Sequence, residues 1–427
     1  MEKLKTVIVG CGDRAYIYAN EGVKNLGLME IVACVDPDEV RLKYMRDNFG
    51  VSEKFCFKNI SELLCLGKIG DCVINGTMDR QHYETAIPLL EQGYDMLMEK
   101  PVVNNKKQLL EIKETAEKYG CKLLVCHVLR YAPFYKEIKR RIMTGDIGEV
   151  MNIQTSERVG AFHSSVSYLR GKWNSEKECG SSLLLAKCCH DLDLLCWLNN
   201  STEPAEVESQ GGRDYFIPEK APKGSGTRCL IDCPEEIRKN CVYDVQSMYL
   251  DNCLLPWYPW KCTGKNWEDV TYEEKLESLK TYNPHGRCVY KCGGDLVDHQ
   301  NVIVKFKNGS TATHSMMLGC MKAGRTIWVL GTKGEIEGNA DEGLLKIRKY
   351  DKKTSTYTEE SVNFADVKGE TGGHFGGDKG LVQDFCNIVL GKGKSISCTS
   401  IDDSINGHLL VYSADEALKK DAPVKLR

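Results

Sequence analysis

The sequence predicts an α/β fold that opens with a doubly wound parallel sheet and continues into a second domain. Three observations carry this expectation. Between residues 6 and 126, short apolar runs alternate with amphipathic helical patterns, the rhythm of a parallel sheet wrapped by helices. The first of those runs ends at a glycine-rich turn. The 427 residues also exceed what one hydrophobic core usually supports.

Taken in order, residues 6–9, 31–35, 72–75, 96–98 and 123–126 read as strands, and 81–92 and 106–119 as helices between them. The first strand leads into Gly10-Cys11-Gly12-Asp13-Arg14-Ala15, a G-x-G-x-x-A turn that opens a helix. Gly10 permits a tight turn, Gly12 lets a pyrophosphate approach the backbone, Ala15 allows close packing, and the helix N-terminus favours an anion. Read alone, the glycine pair also fits an ordinary strand-to-helix turn. Asp36 ends the second strand, 21 residues past Ala15, where a carboxylate suits an adenosine ribose diol and repels a 2′-phosphate. NAD is therefore the expected cofactor, although Arg41 lies close enough to weaken the preference over NADP.

With 57 Lys+Arg against 60 Asp+Glu, the formal net charge is −3, which argues against a polybasic nucleic-acid or membrane partner. Charged residues make up 27% and apolar residues 42%, the mixture of a soluble globular chain. The richest apolar stretch, residues 181–198, carries Lys187, His190, Asp191 and Asp193 and does not read as a membrane span. The start MEKLKTVIVGCGDR meets glycine too early for an export signal. A cytoplasmic setting follows, in which most of the 21 cysteines serve as small buried hydrophobes.

The predicted strand 96–98 runs into Glu99-Lys100-Pro101, and an earlier strand into Gly76-Thr77-Met78-Asp79-Arg80-Gln81-His82. Together with His127-Val128-Leu129-Arg130-Tyr131 and Cys189-His190-Asp191-Leu192-Asp193, these segments resemble the glucose-fructose oxidoreductase, inositol dehydrogenase and MocA-like family. The resemblance covers most of the chain. It implies a Rossmann domain over about residues 1–130 and, over 131–427, an α/β substrate and oligomerisation domain with a large, mainly antiparallel sheet. It also implies oxidation or reduction of a secondary hydroxyl on a sugar, inositol or glycoside, usually by a dimer or tetramer, and a cis bond before Pro101. Thr77, His82, Glu99 and Lys100 join Gly10 to Ala15, Asp36 and Arg41 as the expected cofactor contacts.

Lys100 and His190 are the expected catalytic pair. An ammonium at the carboxyl end of a parallel strand can hydrogen-bond the reacting oxygen, whereas without the resemblance a surface lysine before a turn proline is the simpler reading. Lys187, His190 and Asp191 form one polar seam on an otherwise apolar helix; a core histidine beside a Lys187–Asp191 ion pair is the bland alternative. The family pattern places an aspartate four residues before this histidine, where the chain has Ala186. Arg130, Tyr131, His163, Tyr168, Arg170 and Trp173 are expected, as a set, to supply rings and donors for a sugar.

Regular patterning fades over about residues 211–290. Cys229, Cys233, Cys241, Cys253 and Cys262 lie there, with Cys288 and Cys292 at its end. Cys229, Cys233, Cys241 and Cys288 are candidate ligands of a structural zinc, with free thiols as the alternative. Trp257, Trp260 and Trp267 suggest either a lid or a small apolar cluster. Residues 301–305, 311–315 and 325–330 then alternate like antiparallel strands. The segment Gly372-Gly373-His374-Phe375-Gly376-Gly377-Asp378 precedes a helix that Asp378 is expected to cap. Three functions follow: NAD-dependent oxidation or reduction at a carbohydrate hydroxyl, with C3 favoured; a redox-neutral glycosidase working through a keto-sugar; and a non-catalytic sugar- or NAD-sensing regulator.

Overall fold

A computed structural model describes residues 3–364 and 374–426; Gly372 and Gly373 lie outside the described residues. Six strands, β1 (Leu4–Val9), β2 (Met29–Val35), β3 (Cys56–Phe57), β4 (Cys72–Asn75), β5 (Asp95–Met98) and β6 (Leu123–Val125), form an all-parallel sheet in the order β3-β2-β1-β4-β5-β6. Val7, Ile8, Val73, Ile74, Met96 and Leu97 are buried, as continuous apolar runs should be when helices cover both faces. The strand order reverses between β1 and β4, and the carboxyl ends of those strands open the crevice in which such sheets bind ligands.

Nine strands build the second sheet: β7 (Val150–Gly160), β8 (Pro204–Gly212), β9 (His299–Phe306), β10 (Thr311–Cys320), β11 (Gly324–Gly331), β12 (Gly334–Asn339), β13 (Leu344–Asp351), β14 (Thr356–Asn363) and β15 (Val424–Lys425). Their order is β14-β13-β12-β11-β7-β10-β9-β8-β15, and only β7–β10 is parallel. Alternation along the strands turns Ile153, Thr155, Glu157, His314 and Met316 inward and leaves Met151, Ile303 and Met317 exposed. The helix Leu183–Leu198 lies on the inner face, with every side chain except Lys187 buried. Ser182 caps it by accepting the Leu185 N–H at 3.0 Å.

Part of the C-terminal segment returns to the parallel sheet. Leu381, Val382, Phe385 and Cys386, from the helix Gly377–Val389, pack into the core of the parallel sheet. Thr399 accepts the Val125 N–H at 2.8 Å, and the helix Ile401–Lys420 then crosses back to β8. Among the described residues no helix is long and apolar enough to cross a membrane.

Residues 213–298 form the irregular insertion. Phe216, Tyr243, Tyr249, Trp260 and Tyr290 give it an aromatic interior, so Trp260 belongs to a cluster while Trp257 stays exposed. All 21 cysteines are free thiols. Cys229, Cys233, Cys241 and Cys288 do line one cavity of about 10 Å³. No three of their sulfurs stand within 4.8 Å of one another, and Cys229 accepts a contact from Arg170 at 3.8 Å.

Candidate active site in the interdomain crevice

Gly10 has φ +85°, and a Cβ there would stand 2.5 Å from the Thr77 nitrogen and 2.6 Å from the Gly76 carbonyl carbon. Only glycine fits both the left-handed backbone and the close approach of the two loops. Asp36, buried at the end of β2, accepts the Cys11 N–H at 2.8 Å and the Asp38 N–H at 2.9 Å. The glycine turn and this carboxylate form a cradle that fits a dinucleotide. Other expected cofactor contacts are engaged elsewhere. Arg41 is exposed and pairs with Asp38 at 3.4 Å. Arg14 turns away from the turn to Glu99, Tyr18, His374 and Asp378. His82 is buried between the carbonyls of Pro101 at 2.7 Å and Thr77 at 3.1 Å, where it braces two loops. Thr77 bonds Asn75 at 2.9 Å.

Lys100 follows β5, and its bond to Pro101 is cis. Its Nζ donates to the Ala186 carbonyl at 2.8 Å. In an α-helix that carbonyl faces the amide of residue 190, so the lysine meets the helix one turn before His190. His190 Nδ1 lies 3.3 Å from His127 Nδ1, with the rings edge to face. Behind them, His127 Nε2 is 3.8 Å from Asp193 Oδ1, and Arg130 clamps Asp193 through two nitrogens. Burial, followed by Lys100, His127, His374 and Arg325, holds the His190 pKa far below the usual imidazole value. His190 is therefore a neutral imidazole at neutral pH.

Lys187 and Asp191 do not pair with each other, the bland alternative; both bond to the sheet. Lys187 pairs with Glu157 of β7 at 3.3 Å, Asp191 with Arg325 of β11 at 2.9 Å, and Arg325 also with Glu157 at 2.6 Å. Burial opposes the charge on Asp191, but Arg325, His314 and Lys187 hold its pKa below the ordinary value. Among the described residues, only Cys188, Asp191 and His314 bring three ligand-type atoms within 4.8 Å of one another. Asp191 is engaged there by Arg325, within a group in which Glu157 and Asp191 balance Lys187 and Arg325.

Across the crevice, His163, Tyr168 and Trp173 form an aromatic row with centroid spacings of 5.6 and 6.2 Å. Burial, then Lys187, Arg325, Lys100 and His374, lower the His163 pKa. Three residues expected to contact substrate are structural. Arg130 is fully buried on Asp193 and the carbonyls of Cys398 and Asp403, both at 2.9 Å. Tyr131 donates to Asp384 at 2.9 Å. Arg170 is buried on Ser165 and on the Arg287 and Tyr243 carbonyls. Asp378 does not cap its helix, which begins after Gly376; it pairs with Arg14. Sequence reasoning missed His127, Glu157 and Arg325 as neighbours of the site.

Known proteins share this fold. A model of the oxidoreductase family's NAD-binding Rossmann fold matches residues 4–127, and one of its C-terminal α/β domain matches residues 139–426. The Bacillus subtilis protein named "Putative oxidoreductase YteT" is 26% identical over 373 residues, covering 85% of this chain and 82% of its own. Glucose-6-phosphate 3-dehydrogenase of the same species is 25% identical over 305 residues, covering 70% and 79%. The crystal structure of an Agrobacterium radiobacter oxidoreductase with NAD+, L-tartaric acid and magnesium superposes with a TM-score of 0.68 at 16% identity, covering 99% and 98%; at that identity it speaks for the fold. The chain is an NAD-binding oxidoreductase of the Gfo/Idh/MocA family.

Proposed function

We propose that the protein oxidises or reduces a secondary hydroxyl, at C3, of a sugar or glycoside with NAD as cofactor. The observation that carries this reading is the meeting of Lys100 with the His190 helix at the mouth of the dinucleotide crevice. Bound on the Gly10 turn and Asp36, NAD would supply the hydride acceptor. The Lys100 ammonium donates to the substrate oxygen and stabilises its developing negative charge. His190, neutral, is able to take the hydroxyl proton, and His127 on its other side directs which ring nitrogen is free. His163 and Trp173, both partly exposed, offer apolar faces to a sugar ring. A buried Asp36, with Arg41 tied to Asp38, favours NAD over NADP. The relative named for oxidation of glucose 6-phosphate at C3 motivates that carbon. Incubation with NAD and a panel of glycosides and free sugars should yield NADH and a keto-sugar in equal amounts, read by absorbance and mass spectrometry. No keto product from any of them would reject the reading.

A second reading is favoured by the insertion, whose Lys261 reaches Asp13 of the glycine turn at 2.6 Å and so bars the crevice. A cofactor held there suits a redox-neutral glycosidase. Oxidation at C3 would acidify the C2 proton, elimination would expel the aglycone from C1, water would add, and the retained NADH would reduce C3 again. Hydrolysis without added NAD and without net NADH distinguishes it.

A further inference from the structure

The glycine turn is short of positive charge. A dinucleotide brings a pyrophosphate with two negative charges to this point, yet Arg14 is bound to Glu99 and Asp378, and Arg41 to Asp38. Asp13, in the first turn of the helix Asp13–Asn20, adds a carboxylate of its own. Two cations reach the same place from the second domain. Lys261 of the insertion lies 2.6 Å from Asp13 Oδ2, its ammonium also set over the Tyr258 ring at 5.0 Å. Lys172 lies on the Trp173 ring at 4.1 Å, and its Nζ is 3.2 Å from the Met78 sulfur, in the loop that follows β4 and abuts Gly10 through Thr77. The two ammoniums thus flank the junction of the β1 and β4 loops, where the strand order reverses.

We propose that Lys261 and Lys172 form the second wall of the pyrophosphate site, an anion clamp supplied by the C-terminal domain and closing over the Rossmann turn. This inference rests on the NAD reading above. A thioether is a weak hydrogen-bond acceptor, so Lys172 has a poor partner until an anion arrives. Desolvation of the ammonium, although the residue as a whole is exposed, and the nearby Lys261 charge push its pKa down to about 8, with Arg41 adding to the effect and Asp79 and Asp13 opposing it. A pyrophosphate between the two lysines would relieve that repulsion and replace Asp13 as the partner of Lys261. The backbone amides of the turn would hold one side of the anion and the lysines the other.

The competing explanation is an interdomain tether in which Lys261 serves only Asp13. Calorimetric titration of the full chain with NAD and with ADP-ribose separates the two. A charge-assisted hydrogen bond supports an expectation that Lys261→Gln weakens both ligands about tenfold, and Lys172→Gln severalfold, with smaller effects at high salt. Asp13→Asn should tighten both, because it removes a repelling carboxylate and frees Lys261. A tether predicts instead that Asp13→Asn and Lys261→Gln loosen binding alike. That result, or an unchanged affinity in Lys261→Gln, overturns the clamp while leaving NAD binding intact. If the unaltered protein binds neither ligand, the NAD reading and the clamp fall together. Melting curves of the variants check that each is folded.

Discussion

Among the described residues, Lys100 has only a main-chain carbonyl as hydrogen-bond acceptor for its ammonium, and that is the position of a group kept for a ligand. Carboxylates elsewhere in the crevice are already matched: Glu99 by Arg14, Asp191 by Arg325, and Glu157 by Lys187 and Arg325. The aspartate that the family pattern puts at position 186 is missing, and the structure shows what stands near His190 in its absence. His127 touches the imidazole, and Asp193, held by Arg130, lies behind it. Lys100→Met keeps the stem and removes the charge. It should lower single-turnover hydride transfer at saturating substrate by about 10²- to 10⁴-fold, the usual range for a positioned proton donor. NAD affinity, measured by calorimetry, should change far less, because the fingerprint turn and Asp36 remain in place. An equal loss in both would make Lys100 a binding residue.

The insertion is an element whose irregular backbone depends on side chains of the sheet domain. Arg170 is its main pin: one guanidinium bonds the Arg287 carbonyl at 2.6 Å, the Tyr243 carbonyl at 2.8 Å and Ser165 at 2.8 Å. Arg170→Met would keep the volume and leave two carbonyls without that donor. A loss of about 3 kcal/mol is expected, seen in urea unfolding and in faster proteolysis within residues 213–298; Lys100→Met should show neither. Arg170 also shows where the sequence was hard to read. A buried arginine that gathers carbonyls and a pocket arginine that awaits a sugar are the same residue type in the same apolar setting, and the partners of Arg170 lie up to 117 positions away. Arg130 failed for the same reason, since its acceptors include carbonyls 268 and 273 positions on. The parallel sheet, the Gly10 turn, Asp36, Lys100 and His190 were legible because each is defined by its distance from a strand end or by a helical period. Lys187 and Asp191 were correctly placed on one seam, but their partners Glu157 and Arg325 sit on strands of another sheet, a pairing no local pattern encodes.

At the scale of the whole molecule, residues 377–426 return to both sheets and tie them together. His408, in the helix Ile401–Lys420, is completely buried, and its Nε2 accepts the Val102 N–H at 3.1 Å, just past Pro101. Protonation would destroy that acceptor. Burial, with a smaller push from His127, lowers the His408 pKa to about 3. Between that value and about 6.5, the unfolded chain binds a proton that the folded protein refuses, so stability falls as pH drops through this window and is regained as pH rises. His127, His190 and His163 are shifted in the same direction, so their losses add to it. From pH 7 to pH 5 a single such histidine contributes about 2 kcal/mol of destabilisation. His408→Gln can keep an amide oxygen for the Val102 N–H but cannot titrate. Its urea-unfolding free energy should therefore drop about 2 kcal/mol less than that of the unaltered protein over the same interval. Parallel pH profiles for the two proteins would show that the junction at Val102 is not held by a neutral imidazole.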